Sequence, residues 1–113
     1  MNEQRLEKLN DLPLLLDTYG CLLTERQLEA LRLTYEEDCS LAEIAALHGS
    51  SRQAVHSLVE RGEAQLRQYE ASLGLLELSR RRADLIDELR ARLQAIPMEA
   101  EERLATEELL CRL

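Results

Sequence analysis

Apolar positions recur along this chain in steps of three and four. Through "RLEKLNDLPLLLDTYGCLL" they fall at Leu6, Leu9, Leu12, Leu15, Leu16, Tyr19, Leu22 and Leu23. That spacing lays one apolar stripe along an α-helix. Pro13 has no N–H and suits the first turn of a helix, with Asn10 or Asp11 as N-cap. The pattern predicts a main first helix over about 12–22, with a looser or separate turn before it.

"TERQ" then reads as a capping box: Thr24 caps a second helix and Gln27 reaches back to it. This helix is expected to run to about Glu36 with Leu28, Leu31 and Tyr35 inward, and "EEDCS" ends it. "SLAE" is a second capping box, Ser40 with Glu43. The third helix takes Ile44, Ala45 and Leu47 as its apolar side and stops at Gly49, the residue type best suited to a left-handed helix end. Ser51, or Ser50, can cap a fourth helix over about 52–72. Two helices, the first about two turns long, thus meet at a tight glycine turn, which is the helix-turn-helix signature.

On the fourth helix Val55, Leu58, Val59, Gly62, Leu66, Tyr69 and Leu73 share one side, and Arg52, Gln53, His56, Ser57 and Glu60 the other. Beyond Gly74 the pattern changes. Ile86, Leu89, Leu93 and Ile96 form a short coiled-coil-like seam that Pro97 breaks. "MEAEERLATEELLCRL" gives a last amphipathic helix with Leu104, Leu109, Leu110 and Leu113 apolar. The fold class is all-α: a helix-turn-helix domain over 1–73 and a C-terminal helical extension over 74–113. The Leu seam of that extension either folds back on the first helices or pairs with a second copy. A homodimer is the expectation, and on DNA it would set two recognition helices about 34 Å apart.

Charge narrows the function. The 113 residues carry 14 basic and 22 acidic side chains, a net charge of −8. An acidic surface repels phosphate, so any nucleic-acid contact must be local. Residues 1–48 hold 4 basic and 10 acidic side chains, whereas 49–73 hold 3 of each. The start "MNEQRLEKLNDL" is no signal peptide and no run is long enough to cross a membrane, so a cytoplasmic protein without membrane insertion is expected. Cys21, Cys39 and Cys111 form no CxxC pair, and with His48 and His56 they offer no metal spacing. No phosphate-binding glycine loop and no nucleophile–histidine–carboxylate pattern stands out. The reading is therefore a non-enzymatic protein without metal or cofactor. His48 suits a helix C-terminus, where a cation meets the dipole favourably.

The polar side of the fourth helix is the candidate site. Arg52 could pair with guanine and Gln53 with adenine, since each offers two hydrogen-bonding atoms in a plane. His56, Ser57 and Arg61 could touch bases or phosphates. Arg80, Arg81 and Arg82 form the one dense basic spot, suited to RNA or an acidic protein face, or else a solvated helix turn balanced by Glu77, Asp84, Asp87 and Glu88.

Over about residues 12–82 the chain resembles region four of bacterial sigma factors, through Gln27, Leu31 and Leu33, then "EIA" at 43–45, Ser51, Val55, Arg61, Leu66 and Arg67. It is more similar still to the YlxM family of small bacterial helix-turn-helix proteins. The matching pieces there are "LLT" at 22–24, Ser40 with Leu41, "EIA", "SRQAV" at 51–55, Arg61 and "YE" at 69–70. It departs from that family at Ser50 and His56 and in having fewer aromatics. The resemblance implies a sigma-region-four-like fold and an accessory or regulatory role in the bacterial signal recognition particle pathway, with its targeting GTPases or their RNA as partners. The polar side of the fourth helix allows another function, DNA-binding transcriptional regulation through Arg52, Gln53, His56, Ser57 and Arg61.

Overall fold

The computed structural model describes residues 2–113, with side chains from Asp11 onward. Its helices are α1 (Asn2–Tyr19), α2 (Glu25–Tyr35), α3 (Leu41–His48), α4 (Arg52–Leu73), α5 (Leu75–Gln94) and α6 (Ala100–Cys111), with a 3₁₀ turn at Gly20–Leu22. No strand occurs among the described residues. The chain divides into two compact units, Met1–Leu76 and Glu77–Leu113.

The first helix differs from the sequence expectation at both ends. Pro13 lies inside α1, not in its first turn, and the helix stops at Tyr19, where a tighter 3₁₀ turn takes over. Proline removes a single backbone hydrogen bond. The burial of Leu12, Leu15, Leu16 and Tyr19 around it outweighs that loss. Leu22, past the helix end, is exposed, and Leu23 is buried in its place. The side chains of Leu6, Leu9 and Asn10 lie outside those described.

Both predicted capping boxes form. Thr24 accepts from the Gln27 N–H at 3.2 Å while the Gln27 side chain takes the Thr24 N–H, and Ser40 and Glu43 do the same for α3. Gly49 ends α3 in the left-handed conformation at φ 63°, and Ser51 caps α4 by accepting from the Ala54 N–H at 3.1 Å. Leu31 is fully buried, with Leu28 and Tyr35 packed beside it.

Two apolar assignments are corrected. Leu47 is 67% exposed. The inner side of α3 is Leu41, Ile44 and Ala45, and His48 follows them inward at the i+7 and i+4 positions. Leu73 is exposed as well, and Leu76 from the start of α5 enters the core instead.

The core is one cluster running from Leu12 to Leu76. At its centre α4 approaches α2 through Gly62, where a Cβ would come within 2.7 Å of Leu31 Cδ1. The buried Tyr19 ties α1 to the far end of α4. Its hydroxyl donates to Glu70 Oε1 at 2.6 Å and accepts from the Leu75 N–H at 3.1 Å. Glu70 Oε1 also accepts from the Leu76 N–H at 3.0 Å. Two free N–H groups of the first turn of α5 are thus satisfied by side chains from elsewhere in the fold. Tyr69 packs its ring against Tyr19, with centroids 5.9 Å apart.

In the second unit Ile86 and Leu93 are half-buried, while Leu89 and Ile96 are exposed. Of the four predicted apolar residues of α6 only Leu110 is buried, and Leu104, Leu109 and Leu113 face outward. Arg90 of α5 pairs with Glu107 of α6 at 3.3 Å, and Arg103 of α6 donates to the carbonyl of Ile96 in the turn between the two helices at 2.9 Å.

Candidate functional site

The helix-turn-helix sets α4 in a fixed orientation at its N-terminal end. Gly49 supplies the turn, and the N–H groups of Gly49 and Ser50 return to the Ala45 carbonyl. Ser51 closes the first turn of α4, and Val55 and Val59 bury its inner side. Arg52, Gln53 and His56 consequently point outward from a helix held along its opposite face.

These three residues come together. With Leu41 of α3 they line a shallow depression of about 410 Å³. Among the described residues the Arg52 and Gln53 side chains make no hydrogen bond or ion pair. His56 has Glu60 one turn on, with Nε2 3.5 Å from its carboxylate. Ser57 is half-buried, and its carbonyl accepts from Arg61 Nε at 3.3 Å. Arg61 is not part of this depression. It lies across α4 from Arg52, beside Arg26 of α2 and His48 of α3.

Arg26 and His48 complete a surrounding that spacing along the chain does not reveal. Arg26 Nη2 donates to the His48 carbonyl at 2.9 Å, which satisfies one of the free carbonyls at the end of α3. The His48 side chain is 6% exposed, with Nε2 3.5 Å from the Glu29 carboxylate. That separation is too long for a good hydrogen bond, and among the described residues neither ring nitrogen has a hydrogen-bond partner. Arg26 could be found from sequence only by pairing α2 with the turn, a contact across 22 residues.

Arg80, Arg81 and Arg82 lie on α5 in the second unit, all exposed. Arg81 pairs with Glu77 at 3.2 Å, as the solvated-turn alternative supposed. Arg81 and Arg82 also edge an apolar groove of about 400 Å³ floored by Leu78, Leu85 and Leu89.

Three titratable groups are displaced. Burial, then the hydrogen bond to Glu70, pushes the Tyr19 hydroxyl above the ordinary tyrosine range. Burial and the hydrogen bond to Glu63 raise the Tyr35 hydroxyl likewise. Burial, helped by Glu43, Glu37 and Asp38, raises the Cys39 thiol. All three changes hold the neutral form, and none readies a nucleophile or base near neutral pH. Among the described residues no three His, Cys, Asp or Glu side chains gather around a possible ion position, and no helix is long and apolar enough to cross a membrane.

Comparison with known proteins supplies the lineage of this arrangement. The profile of the family UPF0122, described as "helix-turn-helix protein, YlxM / p13 like", matches residues 6–106. A UPF0122 protein of Symbiobacterium thermophilum is 48% identical over 98 residues, covering 87% of this chain and 92% of the relative. One from Geobacillus kaustophilus is 45% identical over 85 residues, 75% of this chain and 77% of the relative. One from Clostridium acetobutylicum is 43% identical over 82 residues, 73% and 71% respectively.

Proposed function

Since the chain belongs to the UPF0122 family of YlxM/p13-like helix-turn-helix proteins, we propose that it is a non-enzymatic accessory factor of the bacterial signal recognition particle pathway. It acts in the cytoplasm and docks through the N-terminal half of α4 on a component of that particle, a targeting GTPase or its RNA. One observation carries the reading. Among the described residues Arg52 and Gln53 stand exposed and unengaged on a capped, well-packed helix, in a chain whose net charge is −8. Such a surface suits one specific contact and disfavours loose binding to any polyanion. Arg80, Arg81 and Arg82 offer a second basic contact on the extension. The exposed Leu face of that extension pairs with a second copy, giving a homodimer.

The test is capture of purified targeting GTPase and its RNA by this protein, with GTP hydrolysis measured with and without it. Binding and a changed hydrolysis rate are expected, and Arg52→Ala with Gln53→Ala should weaken both. Neither binding nor a rate change would remove the proposal.

A DNA-binding transcriptional regulator is the second reading. It is favoured by the adjacent Arg52 and Gln53 at the start of the second helix of the motif, where base edges are read. It requires enrichment of a defined sequence from a random duplex pool, with each good bidentate contact worth roughly 1–3 kcal/mol. A pool that yields no sequence at low salt excludes it.

A further inference from the structure

The side of α4 turned away from Arg52 carries a second, separate depression of about 290 Å³, where α2, the turn and α4 meet. Its floor is apolar, made by Ala54, Val55 and Leu58, and Arg26 and Arg61 stand at its rim with Ser50. Each arginine is steadied by one hydrogen bond to a backbone carbonyl, Arg26 to His48 at 2.9 Å and Arg61 to Ser57 at 3.3 Å. Among the described residues neither guanidinium has a carboxylate partner, on a chain of net charge −8. No acidic side chain lines the depression, and the Glu29 carboxylate lies 3.5 Å from the buried His48 ring.

From this geometry we infer that Arg26 and Arg61 clamp one phosphate of a nucleic-acid backbone, with the adjoining sugar on the apolar floor. A phosphodiester has the required division, a diffuse anion next to an uncharged carbon framework. A guanidinium held through one N–H keeps its other donors in a plane that suits phosphate oxygens. The position suits backbone contact too: the depression flanks the helix whose opposite side presents Arg52, Gln53 and His56, and in such motifs neighbouring elements hold the backbone while the second helix reads. The site gives the protein a nucleic-acid partner, RNA or DNA, and it rests on the proposed docking through α4.

The test measures binding of a fluorescein-labelled RNA hairpin and a labelled mixed-sequence DNA duplex over a range of salt concentrations. Full-length protein is compared with Arg26→Ala, Arg61→Ala, the two alanine changes together and Arg26→Lys, and circular dichroism verifies the fold, since both residues are exposed. Each alanine variant should bind severalfold more weakly at low salt. Each should also flatten the plot of log affinity against log salt, and the two alanine changes together should flatten it by roughly 0.7–0.9, the loss of one phosphate contact. Arg26→Lys should restore the slope, which a merely structural role would not require. The RNA and DNA arms identify the source of the phosphate. Binding by the parent protein with unchanged slopes in both alanine variants overturns the inference but leaves the docking surface standing. No binding to either probe overturns it as well, and a GTPase captured less well by Arg26→Ala would then identify an acidic protein as the occupant.

Discussion

Tyr19 has no exposed surface, yet its hydroxyl joins three helices through Glu70 and the Leu75 N–H. Removing it by Tyr19→Phe leaves the half-buried Glu70 carboxylate and a backbone donor short of one partner, at a cost of about 1–3 kcal/mol. Tyr35→Phe should cost less, because Tyr35 is half-buried and Glu63 can turn to water. Chemical denaturation of the three proteins checks the order. The raised hydroxyls also give a pH dependence. Both tyrosines ionise less readily folded than unfolded, so the folded state holds these protons more tightly. Their contribution is fully present below pH 10, the ordinary tyrosine value, and is lost as pH rises above it. In a Tyr69→Phe background, which keeps only these two tyrosines, tyrosinate absorbance should therefore appear together with the loss of helical circular dichroism; tyrosinate formed ahead of unfolding would contradict the two hydrogen bonds. Alkylation separates the cysteines: Cys21 and Cys111 are exposed, whereas Cys39 is half-buried with a raised thiol. Iodoacetamide followed by mass spectrometry should label Cys39 last.

At the scale of elements, serine and glycine do different work along α4, Ser51 at its start and Gly62 within it. Ser51→Ala removes the cap of α4 and should cost about 1 kcal/mol. Gly62→Ala sets two effects against each other. Alanine favours the helix by roughly 1 kcal/mol over glycine. Its Cβ, however, would stand 2.7 Å from Leu31 Cδ1, and Leu31 is fully buried and has nowhere to turn. Overpacking of this kind costs about 1–3 kcal/mol, so the net change should be destabilising. Thermal melts decide the sign, and a stabilised Gly62→Ala would mean that α2 and α4 can separate without loss. The caps, the glycine turn and the order of helices were legible in the sequence because each depends on residues within four positions. Pro13, Leu47 and Leu73 were not. Each obeys the local period or its chemistry, but whether it lies inside a helix or in the core depends on which neighbour packs there.

For the whole molecule, burial is unevenly shared. The apolar core cluster spans Leu12 to Leu76, while Leu110 is the one buried apolar side chain among the described residues beyond Glu77. Amides of α2 and α4 should therefore exchange with solvent most slowly, and those of α6 much earlier. Hydrogen exchange read by mass spectrometry checks this, and equal protection of α4 and α6 would contradict it. The proposed homodimer belongs to the same scale. Leu78, Leu85 and Leu89 leave an apolar groove on α5, and Leu104, Leu109 and Leu113 are exposed on and just after α6. Light scattering should give twice the 13.0 kDa chain mass, and Leu85→Glu with Leu89→Glu should return it to one.

The candidate site was half legible for the same reason as the fold. Arg52, Gln53 and His56 follow one helical face, so their spacing alone determined that they would share a surface. Arg61 follows the same helix, yet its neighbours Arg26 and His48 come from α2 and α3. The sequence by itself determined the local terms: helix periods, two capping boxes, the left-handed turn at Gly49 and the net charge. The tertiary structure alone decided which apolar positions are buried, that His48 turns inward, and that two arginines 35 residues apart rim one depression. Backbone capping is complete within a turn of helix, whereas burial and charge pairing depend on which distant surface arrives.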